Sequence, residues 1–109
     1  MRKKDLINEI ISTYQKHGWE LKAILLRSES AAELQRESYD GGEKVRRAAV
    51  DAIWFSRPSH GQGQAWELRL LTETPYALFH RFEKGEPDEQ RAQVLRDMEE
   101  RIGRHLKGD

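Results

Sequence analysis

The 109-residue sequence contains no cysteine. Disulfide staples, thiolate nucleophiles and cysteine zinc sites are therefore excluded, and stability has to come from a packed core. The sequence also lacks an excess of either charge, since 19 Lys and Arg stand against 19 Asp and Glu. With no net positive field to concentrate polyanions, neither nucleic acid nor an anionic membrane is an expected partner. A net charge near zero also removes repulsion between copies, which favours self-association. Long apolar runs are missing too. The basic start, Met1 to Asp5, is followed by apolar residues that Asn8, Glu9 and Ser12 interrupt. Neither a signal-peptide core nor a spanning helix is expected there, and the chain reads as cytoplasmic.

Metal and cofactor signatures are also absent. None of His17, His60, His80 and His105 lies three to five residues from another, so metal-ligand spacing is missing. Gly61-Gln62-Gly63 lacks the lysine of a phosphate-binding loop and does not open a helix. No metal and no cofactor is expected.

With 37% hydrophobic and 35% charged residues, the chain can build a core only if its apolar residues are periodically placed, and they are. Over residues 5–17, Leu6, Ile7, Ile10, Ile11 and Tyr14 recur at helical spacing, and Gly18 follows where a helix can end in the left-handed conformation. Residues 19–27 alternate as a strand, with Trp19, Leu21, Ala23 and Leu25 on one face. Over 28–42, Ser30 followed by Glu33 resembles a capping box and predicts a short helix, stopped by Asp40, Gly41 and Gly42. Residues 44–49 fit either a short edge strand or a loop.

The strand over 50–56 carries apolar residues on both sides, with Val50, Ala52 and Trp54 facing one way and Asp51, Ile53 and Phe55 the other, which suggests a central position or a covered outer face. After a polar connection over 57–64, two further strands alternate over 65–71 and 76–82. Their register follows from keeping the apolar sets together: Leu70 with Tyr76, Leu68 with Leu78 and Trp66 with His80. That register also puts Glu67 within diagonal reach of Arg81 as a cross-strand ion pair. Residues 88–106 carry Val94, Leu95, Met98, Ile102 and Leu106 as one helical stripe, opened by Pro87.

Together these patterns predict a single α+β domain over 1–109. Its antiparallel sheet has about four strands, with the N-terminal and C-terminal helices packed on one face and a short helix after the first strand. Helices on one face would leave Ile24, Leu26, Ile53, Phe55, Leu71 and Phe79 uncovered on the other.

The sequence therefore favours a small non-enzymatic protein-interaction module that self-associates through this apolar face, with Ile53, Phe55, Leu71 and Phe79 as anchors. A second reading is a small-molecule binding protein or enzyme with its site beside the 57–64 loop, using Arg57, His60 and Glu67. A third, single-stranded nucleic acid stacked on Phe55 and Phe79, is disfavoured by the balanced charge.

Overall fold

The computed structural model describes residues 1–39 and 41–106. In chain order its elements are α1 (Lys3–Lys16), β1 (Glu20–Leu26), α2 (Ser28–Arg36), β2 (Val45–Arg47), β3 (Ala52–Pro58), β4 (Gln64–Leu70), β5 (Ala77–Phe82) and α3 (Asp88–Leu106). The strands form one sheet in the order β2-β1-β3-β4-β5, antiparallel except for the parallel pair β1–β2. The fold is thus α+β with a mostly antiparallel sheet. The uncertain segment after α2 supplies the short edge strand β2. Asp40, expected to help stop the short helix, lies outside the described residues.

The expected register of the last two strands is present: Trp66 pairs with His80 and Leu68 with Leu78, and the Leu70 amide donates to the Tyr76 carbonyl at 2.9 Å. The central position expected for β3 is present too, between β1 and β4.

The helix placement differs from the expectation. The terminal helices do not share a face: α1 lies on one side of the sheet with α2, and α3 lies on the other. Ile7 and Ile10 of α1 and Leu34 of α2 pack with Ile24, Leu26, Ile53, Phe55 and Leu71. Met98 and Ile102 of α3 pack with Leu25, Ala52, Trp54, Leu68 and Leu70. Both parities of β3 are therefore inside. The physical reason is the apolar surplus itself, because each large side chain left in water would forgo about 1.5–3 kcal/mol.

A second difference lies in β1. Leu21 pairs with Phe55 but Ala23 with Trp54, so Lys22 is an extra residue that shifts the register. This bulge switches the parity of the strand. Trp19 and Leu21 consequently join the α1 side, while Ala23 and Leu25 stay on the α3 side.

The predicted capping box is not made. Arg27, not Ser30, occupies the N-cap of α2, without a side-chain cap of its own. The cap comes instead from Asp51, just before β3, whose carboxylate accepts the Arg27 backbone N–H at 2.8 Å and the Arg27 guanidinium at 3.1 Å. Ser30 Oγ also donates to it, and Lys3 Nζ of α1 stands 3.7 Å away. Asp51 is buried, which alone would push its pKa up, but the hydrogen bonds from Ser30 and Arg27 outweigh burial and hold it below the usual carboxylate range.

Asp51→Ala should cost about 2–4 kcal/mol, because it strips a buried, multiply bonded carboxylate from its donors. With the native pKa lowered, the Asp51 contribution is complete above the unfolded carboxylate pKa of about 4 and is lost as the pH falls through the native value. Urea unfolding of both proteins across acidic pH should show the gap between them closing as the pH drops.

Candidate functional site

Of the four apolar anchors expected on an open sheet face, three are core residues. Ile53 and Phe55 are 0% exposed and Leu71 5%, beneath the α1 and α2 layer. The Phe55 ring stacks on Tyr14 of α1, with centroids 4.1 Å apart and planes 9° from parallel. These residues cannot contact a partner in the folded protein. Phe79 can, at 59% exposed.

Phe79 stands on β5, which closes one side of the sheet and pairs only with β4 among the described residues. Because Leu70 bonds inward to Tyr76, the alternation of antiparallel pairing turns the backbone N–H and C=O groups of Ala77, Phe79 and Arg81 outward. The Phe79 side chain lies on the α1 side, opposite Glu67.

The 57–64 connection is built rather than slack. The Ser59 amide donates to the Gly63 carbonyl at 2.9 Å. Arg81 crosses from β5 to donate through Nε to Ser59 Oγ at 3.0 Å, and its Nη2 donates to the His60 carbonyl. Gly63 is needed here, since a Cβ would stand 2.6 Å from the Phe82 carbonyl oxygen and 2.8 Å from Arg81 Nη2. The expected Glu67–Arg81 ion pair is replaced, because Arg81 serves this loop and Glu83.

The loop does not bring Arg57 and His60 together. Arg57 donates to the His17 carbonyl at 3.1 Å and places its guanidinium 4.6 Å from the Trp19 ring centre. His60 is exposed, and its Nδ1 lies 3.5 Å from Ser59 Oγ, at the outer limit of a hydrogen bond. Arg81 is the third group on this pair, and it bonds the serine oxygen and the His60 carbonyl. Among the described residues nothing bonds the other nitrogen of the His60 ring to orient it as a base, as an activated serine requires.

Comparisons with protein-family models, with curated proteins and with solved structures returned no match. The site must therefore be read from its own chemistry. Among the described residues no group of His, Asp or Glu could hold a metal ion.

A further polar feature on the α1 side is Tyr14, which sequence periodicity marks only as one more residue of the helix stripe. Its hydroxyl donates to the Glu67 carboxylate. Burial first, and then the hydrogen bond and negative charge of Glu67, raise the Tyr14 pKa well above its ordinary value. A phenol held so firmly protonated is a structural donor that ties α1 to β4. Beside it, a shallow hollow of about 160 Å³ is lined by Thr13, His17, Trp19 and Glu67. The arrangement offers surface for contact, without an activated nucleophile.

Two outcomes check this reading. Gly63→Ala should destabilise the protein by about 1–3 kcal/mol through overpacking against Phe82 and Arg81, measured by chemical denaturation. Because the native Tyr14 pKa is raised, stability present at neutral pH should fall as the pH rises past the unfolded phenol pKa of about 10. Tyr14→Phe should remove that component of alkaline loss while costing about 1 kcal/mol at neutral pH.

Proposed function

We propose that the protein is a non-enzymatic, cytoplasmic interaction module that pairs with a second copy of itself through the free edge of β5, with Phe79 as the anchor. The observation that carries this reading is the coincidence, on one edge strand, of outward backbone groups and a large aromatic side chain 59% exposed.

Edge strands in monomeric proteins are usually blunted by lysine, proline or a bulge. β5, with the sequence Ala-Leu-Phe-His-Arg-Phe, has neither lysine nor proline, and its pairing with β4 is regular throughout. Strand addition between two copies also has a self-complementary solution, as a two-fold interface requires. An antiparallel pair centred on Phe79 would set Ala77 against Arg81 of the second copy and bring the two Phe79 rings side by side. Equal numbers of acidic and basic residues, 19 of each, leave no net repulsion to oppose the approach.

The apolar contact is now narrower than the sequence implied. It rests on Phe79 with the backbone edge, since Ile53, Phe55 and Leu71 are committed to the core. Arg57 and His60, separately engaged, lend no support to a ligand site at the 57–64 loop.

Sedimentation of the full chain over micromolar to millimolar concentration should show a monomer–dimer equilibrium. Phe79→Ser should weaken it by about tenfold or more, as loss of an aromatic anchor does. Because the ring is mostly exposed, the same substitution should change folding stability by no more than about 0.5 kcal/mol. A strict monomer at every concentration would sink the proposal.

A further inference from the structure

Arg69 is 8% exposed, so its charge is carried almost wholly inside the protein. Its Nη1 donates to the Leu70 carbonyl and to the Thr72 carbonyl at 3.2 Å. Both acceptors are neutral, and no carboxylate lies within ion-pair distance of the guanidinium among the described residues. Glu67, two residues earlier on the same strand face, is engaged by Tyr14. The Nε and Nη2 groups make no hydrogen bond within the described residues, yet they are not among the buried polar atoms sealed without a partner. A buried guanidinium with a free donor edge matches a planar carboxylate in two-point fashion.

Arg69 lines a cleft of about 360 Å³ between α1 and the turn that joins β4 to β5. Leu6 and Ile10 of α1 and Pro75 of the turn provide apolar walls, and the exposed residues Glu9 and Glu73 line the same cleft. A simple anion would meet those two carboxylates as well as Arg69. A molecule bearing an ammonium beside its carboxylate would use all three charges, and an apolar body would fill the rest.

We propose that the cleft between α1 and the β4–β5 turn binds a small apolar amino acid, its carboxylate on Arg69 and its ammonium on Glu9 or Glu73. The site is separate from the β5 edge and does not depend on pairing between copies. Arg69 also holds the turn through its carbonyl contacts, so occupancy of the cleft and order of the turn are coupled.

The test is a titration of the full chain with L-leucine, followed by backbone amide shifts. Saturable shifts over residues 6–14 and 69–75, the segments that line the cleft, are expected. Isocaproate, which lacks the amine, and isoamylamine, which lacks the carboxylate, should each bind about tenfold more weakly, the equivalent of one lost charged contact. Arg69→Gln should abolish binding. Should that variant fail to fold, Glu9→Gln combined with Glu73→Gln changes only exposed side chains, and it should weaken leucine by about tenfold while leaving isocaproate unchanged or tighter. Absence of saturable shifts, shifts confined to other surfaces, or equal affinity for leucine and isocaproate would each overturn the proposal.

Discussion

β3 cannot face water on either side. Ala52 and Trp54 point one way and Ile53 and Phe55 the other, and none is more than 2% exposed. Leaving either pair in water would forgo several kcal/mol, a large share of the roughly 5–15 kcal/mol that holds a domain together. The molecule must therefore have a helical layer on each face. The sequence order then assigns the layers: α1 and α2 flank β1 in the chain and cover one face, whereas α3 follows β5 and covers the other.

A helix is about 10 Å wide and strands are about 4.8 Å apart, so each helix shields roughly two strands. On the α3 side the β2 end of the sheet is left over. It is closed by a polar clamp, in which Glu99 accepts from Trp54 Nε1 at 2.8 Å and from Arg46 Nη2 at 2.7 Å. Lys22 completes the cover, 5.9 Å from the Trp66 ring centre. On the α1 side the corresponding leftover is β5. Phe79 has no such clamp among the described residues, and its neighbour Glu67 is already engaged. The two ends of the sheet thus solve the same coverage problem differently, and only one of them leaves an aromatic ring in water.

Asp51 makes the two-layer arrangement specific. Its side chain caps α2, bonds Ser30 and faces Lys3 of α1, while its backbone carbonyl accepts the Leu71 amide at 3.0 Å. One residue thereby connects both helices on that face with the starts and ends of neighbouring strands. A buried carboxylate gains little net stability from such pairing, but any packing that separated it from its donors would be strongly penalised. Apolar contacts tolerate sliding, and this cluster does not.

The elements legible in the sequence are those governed by periodicity. Register between β4 and β5 follows because a slip of one residue would put Leu68 and Leu70 on the face carrying Arg81, and the central position of β3 accords with its two apolar parities. The bulge at Lys22 leaves no such mark: Trp19, Leu21, Ala23 and Leu25 alternate perfectly in the sequence, and only pairing with β3 reveals the switch. The cap from Asp51 is invisible for a related reason, since 24 residues separate it from Arg27. The site shows the same limit most sharply. Phe55 and Phe79 share a face and look alike in the sequence, yet one is fully buried and the other mostly exposed. Strand order decides between them, because Phe55 lies at the centre of the sheet under α1 and Phe79 lies at its edge. Alternation specifies which side of a sheet a residue faces, and only tertiary order specifies whether anything covers it there.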